Sequence, residues 1–160
     1  MKKMITNVIY LTISLFTLSC SSPIKPLSIG YWNVENLFDI FDDPIKNDEE
    51  FSIGGRKNVT QEIYELKIQQ SAEVLRDLNV DVLGLSEVEN AMVLEDLNFA
   101  YKERNYKIIH FDSPDERGID NALLYDPNYF KVISSKPIPN TLPSGDKTRD
   151  ILYVKGEYAD

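Results

Sequence analysis

Asp81-Val82-Leu83-Gly84-Leu85-Ser86-Glu87-Val88-Glu89-Asn90 is the stretch whose reading decides the fold. A short apolar run, residues 80–86, gives way abruptly to acids, which reads as a buried strand that carries Glu87 out at its end. Residues 60–79 stand before it, with Tyr64, Ile68, Ala72, Leu75 and Leu78 recurring at helical spacing behind Thr60, a suitable N-cap. Earlier still, residues 27–33 (LSIGYWN) form the first strand candidate, with Ile29 and Tyr31 on one face. A long helix between two strands is the crossover that parallel neighbours require. Asn33 and Glu87 are therefore expected at the same edge of one sheet.

The rest of the chain extends this pattern. Residues 39–58 read as an acidic loop containing Pro44 and Gly54-Gly55, and residues 90–104 as a second helix. Four β-rich segments follow, at 106–111, 119–125, 129–134 and 151–157. Asp126-Pro127-Asn128 is a good turn, so the segments on either side of it are expected to pair as a hairpin. Residues 136–147, with proline and glycine, read as a loop. The class is α+β, a mixed sheet covered by two helices.

The N-terminus has a separate logic. Lys2 and Lys3 precede residues 5–18, mainly apolar and uncharged, too short to span about 30 Å of hydrocarbon but suited to an export signal. Thr17-Leu18-Ser19-Cys20 resembles a loose bacterial lipobox, which implies lipidation of Cys20. The division expected is a signal peptide over 1–19, a tether over 20–26 and a domain over 27–160. The expected location is the bacterial cell envelope, held to the membrane by a lipid on Cys20, with periplasmic or secreted protein as the alternative. Cys20 is the sole cysteine, so no intrachain disulfide forms. Loss of residues 1–19 removes two lysines and no acid, moving the formal charge from −9 to −11. Such a charge opposes non-specific binding to a polyanion, although a divalent metal would reverse the field locally.

Chemistry-bearing residues gather where the strands run out. Tyr31-Trp32-Asn33-Val34-Glu35-Asn36 offers an amide oxygen at Asn33 and a carboxylate at Glu35, and the second strand offers Glu87. These are hard donors suited to Mg²⁺ or Mn²⁺, which proteins commonly hold with few side chains while water and phosphate fill the rest. Glu89 reads instead as an acid at the start of the second helix.

A strand ending W-N-x-E-N, then a helix and a strand ending L-x-E-V-E, resembles the opening of the endonuclease/exonuclease/phosphatase family of metal-dependent phosphoesterases. Residues 113–125, containing Arg117-Gly118-Ile119-Asp120-Asn121-Ala122-Leu123-Leu124-Tyr125, and 148–154, Thr148-Arg149-Asp150-Ile151-Leu152-Tyr153-Val154, resemble two later segments of bacterial members. Ser86 departs from the glutamine that often precedes the ligand glutamate.

The resemblance implies a four-layer α/β sandwich, of which this chain supplies roughly the first half. It implies that Asn33 and Glu87 hold the metal, with Glu35 a further candidate, and that Arg149 contacts substrate phosphate, with Arg117 and Asp120 as second candidates. The family's catalytic histidine, D-x-N and late D-H segments come from its later strands and have no counterpart following these motifs, so the domain is expected to be truncated and to hydrolyse little alone. His110, the only histidine, reads as a structural strand residue. The expected activity is a metal-dependent, nuclease-like phosphodiesterase; the alternatives are a metal- and phosphate-binding lipoprotein module or an inactive remnant. The expected partners are a phosphate ester, nucleic acid among the options, and the membrane; no protein partner is expected.

Overall fold

The computed structural model describes residues 25–159. The expected signal peptide and the lipidation at Cys20 lie outside the described residues. Among the described residues, no helix is long and apolar enough to cross a membrane.

The first sheet contains β1 (Ile29–Leu37), β2 (Val82–Val88), β3 (Lys107–His110) and β4 (Asp120–Tyr125), in the order β1-β2-β4-β3. β1 and β2 run parallel, as the crossover predicted, with Asn33 opposite Ser86. β4 runs antiparallel to both β2 and β3, so the sheet is mixed. The two helices, α1 (Gln61–Leu78) and α2 (Ala91–Ala100), cover one face of the sheet.

Local chemistry accounts for the helix ends. The Thr60 side chain accepts a hydrogen bond from Ile63 N, and the chain leaves α1 through Asn79 in the left-handed region, φ 43°. α2 is shorter than its expected 90–104: Asn90 caps it by accepting from Val93 N, and it ends before Tyr101. The α1 stripe is buried at Tyr64, Ile68, Ala72 and Leu75, whereas Leu78, expected inside, is 39% exposed at the last residue of the helix. The core packs Val34, Leu37, Leu83, Leu85 and Leu124 of the sheet against Ile68, Leu75, Leu94 and Leu97 of the helices. Full burial of each leucine contributes roughly 1.5–3 kcal/mol, which makes β2 the firmest support for anything carried at its end.

Ile29 and Tyr31 share one face as expected, and at 70% exposure each it is the face away from the helices. The pairing expected after β4 is corrected. The segments flanking Asp126-Pro127-Asn128 do not pair with each other. β4 has β2 on one side and β3 on the other, so no edge remains for the next strand. β5 (Phe130–Ile138) instead forms a separate two-stranded sheet with β6 (Ile151–Tyr158). The turn itself is present: Asp126 Oδ1 accepts from Asn128 N at 2.9 Å, and Asp126 O accepts from Tyr129 N at 3.1 Å. β5 also runs on to Ile138, into the segment read as loop.

A buried polar knot closes the opposite end of the first sheet. The Asp81 carboxylate, with no exposed surface, accepts from Arg104 Nη1 at 2.7 Å, Lys25 Nζ at 2.9 Å, Ser28 N at 2.9 Å and Ser28 Oγ at 2.6 Å. Burial opposes its ionisation, but these donors together outweigh burial and hold the carboxyl well below the usual range.

Candidate metal and phosphate site

At the C-terminal ends of β1 and β2 the ladder breaks. Asn33 pairs with Ser86 and Leu37 with Val88, so Val34, Glu35 and Asn36 oppose Glu87 alone. On the other side Ser86 pairs with Asn121 and Val88 with Asp120, leaving Glu87 with no residue opposite it on β4. Glu87 is bulged out of both ladders. Glu35, Asn36 and Glu87 have φ of 54°, 60° and 65°, a region where side chains other than glycine and asparagine are strained. Such strain, of order 1–3 kcal/mol per residue, persists only where surrounding structure imposes it.

Three side chains impose it here, through four hydrogen bonds. Asn33 Oδ1 accepts from Glu35 N at 2.8 Å, and Glu87 Oε2 accepts from Asn36 N at 3.2 Å, tying the two strand ends together. From α1, Lys67 Nζ donates to Glu35 O at 2.5 Å and Asn36 O at 2.9 Å. Burial lowers the Lys67 pKa, while the Glu35 and Glu87 carboxylates pull it the other way. Nothing in the sequence marks Lys67, which reads as one more lysine on the polar side of a helix.

Arg149 reaches the same place from the segment before β6. Its Nη1 lies 3.5 Å from Glu87 Oε1. Asn121 Nδ2 donates to Asp150 O at 2.7 Å and so moors that segment to β4. The structure thus brings Asn33, Glu35, Glu87 and Arg149 to one sheet edge.

Arg117 and Asp120 stand differently. The Arg117 side chain is about half exposed and lies 3.7 Å from Asp115, not against Glu87. Asp120 is buried at the start of β4, where Oδ1 accepts from Ser113 N at 2.9 Å and Oδ2 lies 3.1 Å from His110 Nε2. His110, its side chain 7% exposed, is thereby a structural partner of Asp120. With Asp112, whose side chain is 89% exposed, these two bring three ligand atoms within 4.8 Å of one another. Asp120 already occupies the imidazole Nε2 in that group.

Glu89 departs from its expected role. α2 has no acid in its first turn, and Glu89 precedes the helix altogether. Its Oε2 accepts from Asp39 N at 2.5 Å, and Asp39 Oδ2 in turn accepts from Asn90 Nδ2 at 2.9 Å. Burial, reinforced by the Asp39 and Asp48 carboxylates, pushes Glu89 up to about 8 despite the Asp39 N–H bond. Glu89 therefore fastens the chain leaving β1 beneath the site.

A family model described as "Endonuclease/Exonuclease/phosphatase family" matches residues 28–160. Among solved structures, the chain is similar to ANGEL2, a 2',3'-cyclic phosphatase, in complex with adenosine-2',3'-vanadate. The TM-score is 0.53 at 13% identity, over 84% of this chain and 38% of that chain. A second structure of ANGEL2 gives 0.52 at 16% identity, over 82% and 37% respectively. An endonuclease/exonuclease/phosphatase family protein from Bacteroides thetaiotaomicron gives 0.43 at 17% identity, over 70% and 35%. The likeness to ANGEL2 is one of fold, and this chain spans less than two-fifths of each of the three chains. No curated protein matches the chain.

Proposed function

The chain belongs to the endonuclease/exonuclease/phosphatase family, and on that premise we propose that it is a metal-dependent phosphoester hydrolase acting as a nuclease-like phosphodiesterase outside the cytoplasm. The observation that carries this reading is the convergence of Asn33, Glu87 and Arg149 from three elements, with Glu87 forced out of both its ladders. The donors suit Mg²⁺ or Mn²⁺. Asn33 and Glu87 present hard oxygens, each committed to one backbone N–H with a lone pair to spare, and water can complete the shell. Bound there, the ion supplies charge neutralisation at the phosphate. Glu35, exposed on the same bulge, adds a third oxygen donor at the edge.

Arg149 is the phosphate-binding group in this reading. A guanidinium presents paired N–H donors that match two phosphate oxygens, and its ion pair with Glu87 holds it over the site beforehand. Lys67 holds the Glu35 and Asn36 carbonyls, and with them the strand end that follows Asn33. The substrate class, a phosphate ester with nucleic acid among the options, rests on the family and on this donor set. Export and anchoring to the bacterial envelope rest on the Thr17-Leu18-Ser19-Cys20 segment, with Cys20 carrying the lipid. The alternative is a module that binds metal and phosphate without turnover, and one observation favours it: the sole histidine, His110, has its Nε2 engaged by Asp120.

The test is hydrolysis of DNA and of a chromogenic phosphodiester with Mg²⁺ or Mn²⁺, alongside thermal unfolding with and without the ion. The expected result is an ion-dependent rise in Tm that is lost in Glu87→Ala, with only weak turnover by this chain alone, lost in both Glu87→Ala and Arg149→Ala. Turnover that survives Glu87→Ala refutes the site. A Glu87-dependent Tm rise without turnover selects the non-catalytic module.

A further inference from the structure

The chain buries carboxylates at both ends of the first sheet and treats them differently. At one end Asp81 is met by Arg104 and Lys25. At the other, Asp39 and Asp48 are 7% and 2% exposed, and Glu89 beside them is half-buried. Among the described residues, none of these three acids forms a salt bridge with a lysine, arginine or histidine. Acids gathered away from water without a cation are costly, since each charge is desolvated and repels the others. We propose that this cluster is a calcium site, separate from the site at Asn33 and Glu87, with Asp48 and Glu89 as its direct ligands.

The uncommitted oxygens select the ligands. Both Asp39 oxygens are engaged, Oδ1 by Phe41 N at 2.7 Å and Oδ2 by Asn90 Nδ2 at 2.9 Å, so Asp39 supplies charge rather than a ligand atom. Asp48 Oδ2 accepts from Asp43 N at 3.2 Å, whereas its Oδ1 is buried with no hydrogen-bond partner. Glu89 Oε2 accepts from Asp39 N, and its Oε1 accepts no bond among the described residues. The Asp48 and Glu89 carboxylates lie within hydrogen-bonding reach of each other. Oxygens that close suit neighbouring positions around one ion, as they suit a shared proton. Burial pushes both carboxyls up, as expected of a pocket short of positive charge.

A ligand set of oxygens alone, without nitrogen or sulfur, selects a hard cation. Enclosure then favours calcium. Mg²⁺ keeps several of its waters, and Asp48 is walled off from solvent. Ca²⁺ accepts irregular oxygen ligands at about 2.3–2.6 Å, and water can reach it from the half-buried Glu89. The frame for Asp48 is already built: Asn47 N donates to Glu116 O at 2.8 Å, and Phe51 N donates to Asp48 O at 2.8 Å. An ion there ties the loop that carries Asp48 to the chain just past β2, two residues beyond Glu87.

The experiment is thermal unfolding and calorimetry of the full chain, stripped with a chelator and then titrated with CaCl₂. With calcium a hundredfold above its Kd, Tm is expected to rise by about 8 °C. Asp48→Asn and Glu89→Gln each abolish the rise, whereas Glu87→Ala and Glu49→Gln, the latter at an exposed acid of the same loop, keep it. Asp48→Asn is the milder change, because asparagine still offers an oxygen to Asp43 N, and a cooperative transition in chelator shows that the variant folds. No rise in the parent chain overturns the proposal and leaves Asp48 and Glu89 joined by a shared proton. A rise that survives Asp48→Asn overturns it as well. So does a rise that Glu87→Ala abolishes and Asp48→Asn keeps, which puts the ion at Glu87.

Discussion

Replacing Lys67 with methionine tests whether the strained strand end is imposed by its neighbours. The ammonium makes two hydrogen bonds, to Glu35 O and Asn36 O, and both acceptors belong to residues in the left-handed region. A hydrogen bond to a charged group contributes about 1.5–3 kcal/mol net. Burial of the ammonium, seen in its lowered pKa, takes back part of that gain, and water reaches the exposed Glu35 once the lysine is gone. The expected loss is about 2 kcal/mol, read by urea unfolding of Lys67→Met against the parent chain. At roughly 3–4 °C per kcal/mol for a domain of this size, that is a fall in Tm of about 6–8 °C. Amide exchange supplies the local measurement: the Asn36 N–H, bonded to Glu87 Oε2, should lose protection well beyond the global change. Lys131→Met is the control, because its pair with Glu157 is exposed on both sides and should be worth under about 1 kcal/mol. A Lys67 variant within about 0.5 kcal/mol of the parent, with Asn36 protection intact, would refute the claim that Lys67 holds the bulge.

Three further outcomes follow from packing and charge. Arg104→Met strips a charged partner from the fully buried Asp81 and should cost about 3–5 kcal/mol, toward the lower end because Lys25 and Ser28 remain. The folded pKa of Asp81 is depressed, so its ionisation stabilises the fold above the usual carboxylate pKa and that contribution fades as pH falls through the folded value; acid titration of stability in Asp81→Asn should show a shallower loss below about pH 4. Gly156→Ala places a Cβ 2.2 Å from Phe130 Cζ and must drive that ring off its edge contact with Tyr125, at a cost of about 1–3 kcal/mol. In a double-mutant cycle the cost should vanish on a Phe130→Ala background, and an additive result would rule out the clash.

The first sheet was legible because its signals are local and repeated. The apolar run of β2, the helical spacing from Tyr64 to Leu75 and the crossover length all point to one parallel pair, and that pair formed. The partner of β5 was not legible. Asp126-Pro127-Asn128 announces that the chain reverses, but a turn says nothing about which sheet receives the next strand. That choice was made by β3, which occupied the remaining edge of β4.

The site divides along the same line. That Asn33, Glu87 and Arg149 come together was legible because each ends or adjoins a readable element, so knowing the element places the residue. The bulge was hidden: asparagine at 36 is common in the left-handed region, but glutamate at 35 and 87 is not, and no residue type announced the break. Lys67 was hidden for a related reason, since its role depends on carbonyls 31 and 32 residues away in sequence. These two omissions are one feature. Left in register, β2 would seat Glu87 opposite a β4 residue within the ladder. The lysine holds β1 out of register, and Glu87 leaves both ladders at the point where the strands part. If that link is correct, a glycine at position 35, which removes the strain of the left-handed conformation, should lessen the stability lost in Lys67→Met. If strain and clamp are unrelated, the two changes should simply add.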